Sequence, residues 1–469
     1  MTRDPRADEM QAGVLPIVRV EGEDQRRPLA DRMAFHHVPG FSVAVIQDDK
    51  IAWAEGFGTQ EAGKDDPVTA DTLFAGASIS KPVAAVVALR LVEQGLLDLD
   101  RPANDFLTAW KIPDNEFTAQ KAVTLRHLLS HRAGTTVHGF GGLGATPTIL
   151  DTLEGRPPAR NAPVRVNKVP GGGARYSGGG ITVIQLMMEE ATGKHFAQLA
   201  KELVFDPLGM NHSTFVHPLP DGLMEQTSRG HNEDGSVVEG DGYSWCPQLA
   251  AGGIFTTAPD YARFIIACHA AYLGKPGAII GHDLARQMMN RDGTDDQGLG
   301  WRILGEGATQ RFEHGGSCQG YQTETMCYLH RGDGVVVLTN GVGGLNFYWE
   351  VINTVAEMQD WPGYLPAKKI VTELNAEQRA QIAGRYKIVT GVDAPFINVW
   401  EEEGVLYSEI VGMRGGKRRV RMDQNGRLFN ERGPFDTAIE YGPDGRAMTL
   451  RIIEGGTTEI VRAERDDPA

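Results

Sequence analysis

Residues 78–95 read SISKPVAAVVALRLVEQG, and the fold follows from where such a stretch can sit. From Lys81 onward Ala, Val and Leu recur at helical spacing, Pro82 is compatible with a first turn, and Gly95 suits the stop. The predicted helix is apolar almost all round, so it is buried. At its start stands Ser78-x-x-Lys81, and a spacing of three on a helix puts both side chains on one face. A serine hydroxyl is a poor nucleophile at its ordinary pKa, and an adjacent amine that loses its own proton through burial can activate it. As a bare pattern, SxxK arises by chance about once in a chain of this length. Its position gives it weight, because a lysine in an otherwise apolar buried helix needs a reason.

Working outward, residues 41–47 (FSVAVIQ) and 51–58 (IAWAEGFG) flank the polar turn Asp48-Asp49 and read as a β-hairpin. Between residues 124 and 180 the chain is rich in glycine and proline (HGFGGLGATP, EGRPPARNAP, VPGGGARYSGGG), the texture of a binding loop or lid. A helix is expected at 181–193, ITVIQLMMEEATG, and a turn running into a helix at 250–274. The runs ETMCYLH and GVVVLTNG at 324–341 are strand-like. Strands at both ends of the first 360 or so residues bracket a helical middle, which predicts one sheet assembled from distant segments. After Trp361-Pro362 short β-rich runs alternate with the turn signals Glu403-Gly404, Gly415-Gly416, Asn425-Gly426, Asp444-Gly445 and Gly455-Gly456, the pattern of an antiparallel barrel or sandwich.

Composition bounds the function. The 469 residues carry a net charge of −15, with 41% hydrophobic and 23% charged residues, as expected of a soluble globular protein with room for several domains. The acidic balance argues against nucleic-acid partners and against docking on anionic lipid, and Lys417-Arg418-Arg419 with Arg421 reads as a solvated strand face. No apolar run approaches a membrane span, and the start MTRDPRADEM lacks the apolar core of a secretory signal, so a cytoplasmic location is expected. Cys246, Cys268, Cys318 and Cys327 make no scaffold or CxxC pair, His36-His37 lacks a third ligand, and no metal is expected.

Two further clusters carry chemistry. Tyr176-Ser177-Gly178 lies in the glycine-rich stretch, where Tyr176 near cations can serve as a phenolate-type base or proton relay. His314-Gly315-Gly316-Ser317 precedes a strand; glycines there admit close approach to a substrate, and an edge N–H can face a developing oxyanion. SxxK, then a Tyr motif about a hundred residues on, then a Lys/His-x-Gly strand resembles the serine β-lactamase and penicillin-binding-protein superfamily. Most similar is the branch holding class C β-lactamases, DD-carboxypeptidases, D-aminopeptidases and family VIII carboxylesterases. Supporting stretches are 38–58, 73–107, TLRHLLSHRAG (124–134), FDPLGMNHSTF (205–215), AAGGIFTTAPDYARF (250–264) and GLGW (298–301).

The resemblance implies an α+β fold in which an antiparallel sheet is flanked by helices with a helical subdomain, followed by a C-terminal antiparallel barrel. The corresponding divisions are an N-terminal arm at 1–28, a β-lactamase-like hydrolase domain at 29–365 and a lipocalin-like barrel at 370–469. It makes Ser78 the acylated nucleophile and assigns the general-base and proton-shuttle work to Lys81 and Tyr176. The oxyanion hole is the N–H groups of Ser78 and Ser317, and His314, with Gly315 and Gly316, contacts substrate. Where many relatives have Asn, whose amide contacts a substrate amide, this chain has Gly178. The expected activity is therefore hydrolysis of small carboxylic esters through an acyl-enzyme, with no cofactor. The alternatives are a D-amino-acid peptidase or amidase, a β-lactamase, and a non-enzymatic binding protein on the same scaffold. The sequence leaves the oligomeric state open.

Overall fold

A computed structural model describes residues 4–23, 26–140, 146–240, 242–243, 246–291, 295–413, 416–431, 433–454 and 458–466. Residues 141–145 of the glycine-rich stretch and the turn signals at Gly415 and Gly455-Gly456 lie outside them. The chain divides into two compact units, Met1–Asp8 with Ala30–Tyr348, and Glu9–Leu29 with Trp349–Ala469.

The first unit is built on a six-stranded antiparallel sheet. Its strands are β1 (Gly40–Gln47), β2 (Lys50–Gly58), β5 (Arg302–Leu304), β6 (Arg311–Cys318), β7 (Tyr321–Tyr328) and β8 (Gly334–Thr339), in the order β2-β1-β8-β7-β6-β5. A separate pair is formed by β3 (Phe74–Ala77) and β4 (Ile254–Thr256). Strand β1 lies between β2 and β8 and is buried from Gly40 to Ile46, so it reads as a continuous apolar run. Its hairpin closes through Asp48 and Asp49, both at positive φ (49° and 60°), the geometry whose twist matches paired strands. The helical middle follows as read, with one difference. The helix expected from Ile181 begins at Gly178 and runs to Thr192, because Ser177, in extended conformation, caps it by accepting the Gly180 N–H.

The helix Ala258–Tyr272 packs on β1 and β8 and is tied down from its last turn. His269 is buried, its Nδ1 2.5 Å from Asp49 Oδ1 and its Nε2 3.0 Å from the Leu329 carbonyl. Lys275 Nζ reaches the other Asp49 oxygen at 2.7 Å. Burial pushes the Asp49 carboxyl up, but the bonds from His269 and Lys275 outweigh it and hold it below the usual range.

In the second unit eight strands close an antiparallel barrel: β10 (Gly384–Thr390), β11 (Phe396–Glu402), β12 (Val405–Ile410), β13 (Arg418–Asp423), β14 (Leu428–Phe429), β15 (Asp436–Tyr441), β16 (Ala447–Glu454) and β17 (Thr458–Arg465). Closure comes from the β12–β13 and β17–β10 pairings, and β9 (Val371–Thr372) adds to β13. Tyr386, Ile397, Val399, Leu406, Leu450, Val461 and Ala463 belong to its core. In the same unit Ile17, Val18 and Val20 pack with Phe429.

Replacing Asp49 by Ala leaves the His269 ring facing an empty place. The expected loss is about 2 kcal/mol, less than for a fully buried pair because Asp49 keeps some solvent contact. Urea unfolding of the parent and Asp49→Ala, with an unchanged slope, measures it.

Candidate active site

Ser78 sits where β3 gives way to the helix Ser80–Glu93. The β3–β4 ladder is irregular between Ala75 and Ala77, and Ala77 has φ +49°, a conformation L residues disfavour. Ser80 holds the kink by donating its hydroxyl to the Ala77 carbonyl (2.6 Å) and accepting the Ile254 N–H (3.0 Å). Between Ser78 and Ser80, the Ile79 carbonyl accepts the hydroxyl of buried Tyr261 at 2.8 Å. Ser78 therefore precedes the helix, where the sequence reading put it on the same helical face as Lys81. The meeting is kept because the Lys81 N–H bonds the Ser78 carbonyl at 3.0 Å, extending the turn backward.

Lys81 is buried, as ten other residues of its helix are. Its Nζ donates to Ser78 Oγ at 2.8 Å and to the Ala251 carbonyl at 2.6 Å. Ala251 belongs to the short helix Leu249–Gly252, which is itself fixed by Gln185 Oε1 accepting the Ala250 N–H at 3.0 Å.

Tyr176 reaches the same place from the glycine-rich stretch, its ring centroid 4.9 Å from Lys81 Nζ. The glycines behind it form a cradle. Ser177 caps the Gly178–Thr192 helix by accepting the Gly180 N–H (2.9 Å), while the N–H groups of Gly178 and Gly179 donate to the His138 (2.9 Å) and Val137 (3.0 Å) carbonyls. A Cβ at Gly179 would come within 2.8 Å of the Thr136 carbonyl, and one at Gly178 within 3.1 Å of the Phe140 ring and 3.2 Å of the His138 carbonyl. The backbone at 136–138 thus lies directly on the helix start, an approach that glycine permits at 179 and that a Cβ at 178 would make tight.

Strand β6 supplies the third side. Among the described residues its pairing with β5 covers Arg311 to Glu313, while its pairing with β7 continues to Cys318. Gly316 lies against Ser78: a Cβ there would overlap the Gly76 carbonyl and Thr323 Oγ1 and stand 3.1 Å from the Ser78 nitrogen. Gly315 leaves room for Glu324, which lies directly across the ladder. Burial, and then the charge of Glu313, push the Glu324 carboxyl up. Ser317 follows at an exposed position.

His314 is buried with its ring centroid 6.2 Å from that of Tyr176, and its Nδ1 lies 2.7 Å from the Gly315 carbonyl, to which it donates. Burial, and then the charge of Lys81, push its pKa down to about 3, so the ring is neutral. Ser78, Lys81, Tyr176, His314 and Gly316 are thus brought together in the first unit, and Gly315 and Ser317 are the strand neighbours of Gly316. The sequence reading missed Ala251, Ser80 and Gln185, whose bonds are formed only in the fold. It also passed over His131, which stands in TLRHLLSHRAG. Among the described residues no group of three or more His, Cys, Asp or Glu converges as a metal site.

The beta-lactamase family model matches residues 26–349. Esterase EstB of Burkholderia gladioli is 29% identical over 276 residues, covering 53% of this chain and 69% of that protein. Penicillin-binding protein 4* of Bacillus subtilis is 22% identical over 461 residues, covering 90% of this chain and 95% of its own. Among solved structures, the octameric penicillin-binding protein homologue from Pyrococcus abyssi superposes with a TM-score of 0.63 at 21% identity, over 93% of this chain and 98% of that one.

Two outcomes test this geometry. Gly316→Ala must push β6 away from Ser78, and a displacement of this kind is expected to slow phosphonate labelling of Ser78 about 100-fold, read by intact mass against time. His314 binds a proton near 6.5 when unfolded and near 3 when folded, so below pH 6.5 the unfolded chain gains protons the folded one does not. Stability therefore falls with falling pH, by about 1.4 kcal/mol per unit for this residue. His314→Gln should flatten the pH dependence of unfolding between pH 6 and 4 by that amount, measured by denaturant titration.

Proposed function

The chain belongs to the beta-lactamase family and is a serine-dependent hydrolase, and from that premise we propose that it hydrolyses small carboxylic esters through an acyl-enzyme on Ser78. The observation that carries the reading is the 2.8 Å bond between Lys81 Nζ and Ser78 Oγ, made by a buried lysine whose other partner is a backbone carbonyl. In the first step Ser78 Oγ attacks the ester carbonyl carbon while its proton passes to the Lys81–Tyr176 pair. The carbonyl oxygen, now an anion, is met by the N–H groups of Ser78 and Ser317. Collapse breaks the bond to the alcohol, which leaves with the proton. Water then repeats the sequence on the acyl-Ser78 ester and releases the acid.

Position 178 favours an ester over an amide. A site with a side-chain amide there rejects substrates that leave the amide unpaired; Gly178 imposes neither the preference nor the penalty. The space beside it is taken by the Phe140 ring and by the His138 carbonyl, which already accepts the Gly178 N–H. His314 and the glycines after it line the opposite strand and contact the substrate.

Ser78 is expected to be labelled stoichiometrically by an active-site serine phosphonate, with no labelling of Ser78→Ala. On one preparation, kcat/KM for a short-chain p-nitrophenyl ester should exceed that for a D-aminoacyl anilide and for a chromogenic cephalosporin. Labelling of the alanine variant would overturn the nucleophile assignment. A preference for the anilide or the cephalosporin would replace the esterase reading with the peptidase or β-lactamase one.

A further inference from the structure

His131 has no part in the chemistry above, yet it is bonded to both sides of Tyr176. It follows the helix Leu125–Leu129 by two positions, is buried, and has φ +56°, a left-handed backbone disfavoured for a residue with a Cβ. Such strain persists only where the surroundings hold it, and it gathers at functional sites. Three contacts hold it here. The His131 carbonyl accepts the N–H of Arg175 at 2.8 Å, and its Nδ1 accepts the N–H of Ser177 at 3.2 Å. Its ring lies against that of Tyr176, with centroids 4.5 Å apart at 38°.

The Ala174–Arg175 peptide, the Tyr176–Ser177 peptide and the ring between them are therefore held by one residue. Arg175 completes the bracing with its guanidinium, donating to the Thr135 carbonyl at 3.0 Å. We propose that His131 is a positioning residue that fixes the Tyr176 ring against Lys81 through the peptide bonds of Arg175 and Ser177. This rests on the reading of Tyr176 as a proton-transfer group. The clamp needs Nδ1 as an acceptor, and burial, followed by the charge of Lys81, drives the His131 pKa well below its ordinary value, which keeps that nitrogen unprotonated. His314, by contrast, donates from Nδ1, so of the three imidazoles near Tyr176, His131, His138 and His314, the first and last are held in opposite tautomers.

Two variants separate positioning from bulk structure. His131→Gly accepts the left-handed backbone without strain and removes the ring and its acceptor. His131→Asn also tolerates that backbone and supplies an Oδ1 acceptor. With p-nitrophenyl butyrate as substrate, His131→Gly should lower kcat at least about tenfold with KM changed less than about twofold, and His131→Asn should recover at least about threefold of the loss. In a Tyr176→Phe background, His131→Gly should cost nothing further, because it acts through the hydroxyl already removed. Should the glycine variant fail to fold, His131→Asn in the two backgrounds gives the same comparison from its smaller loss. A kcat within twofold of the parent for His131→Gly, a loss confined to KM, or losses that multiply in the Tyr176→Phe background would each overturn the inference while leaving the proposed reaction intact. A Tyr176→Phe variant at the parental rate would overturn the reading of Tyr176 and this inference with it.

Discussion

A lysine amine held inside an apolar helix is the constraint around which the first unit is organised. Removing such a group from water is costly unless its protons meet acceptors, and Lys81 finds two: Ser78 Oγ and the Ala251 carbonyl. Each acceptor has its own support. Ser78 is presented by the kink at Ala77, itself tied by Ser80 to β4, and Ala251 by a short helix bonded to Gln185. The same pair of bonds that makes the burial tolerable sets the Lys81 amine against Ser78 Oγ. Stability and chemistry are met by one geometry here.

Around that point the chain uses absence of side chains as much as their presence. Gly316 lets β6 approach the Ser78 nitrogen, and Gly178 and Gly179 let the backbone at 136–138 lie on a helix start. Both approaches put backbone N–H and carbonyl groups where a Cβ would have kept them apart. His131 and His314, both buried there, are pushed to low pKa by burial and by the charge of Lys81 and stay neutral. The cation–π approach of Lys81 to Tyr176 is therefore not opposed by a charged neighbour from these two rings.

The second unit has a different logic. An eight-stranded barrel closes its own hydrogen-bond ladder and leaves no exposed edge, so it needs only its apolar core and turns of the right hand. Lys369 bridges Asp423 (3.1 Å) and Asp436 (2.6 Å) at one end of it. Its alternating strands and glycine turns announce such a fold without naming a site, and the reaction proposed above draws on the first unit alone.

The sequence alone determined what local pattern and composition can encode. The β1–β2 hairpin was legible because an apolar run, two aspartates and a second run specify a turn that tolerates positive φ. The buried helix was legible from its all-round apolar face, and the lysine in it pointed to Ser78. Tyr176 and the His314 to Ser317 run were found as motifs, their mutual placement inferred only by resemblance. Tertiary structure decided the rest. It set Ser78 just before its helix, began the helix expected at Ile181 three residues early at Gly178, and made His131 a partner of Tyr176 across 45 positions of chain. These depend on backbone groups of distant segments meeting, as when the Ser177 N–H finds the His131 ring. Every residue carries the same backbone donor and acceptor, so no side-chain pattern records which of them will pair.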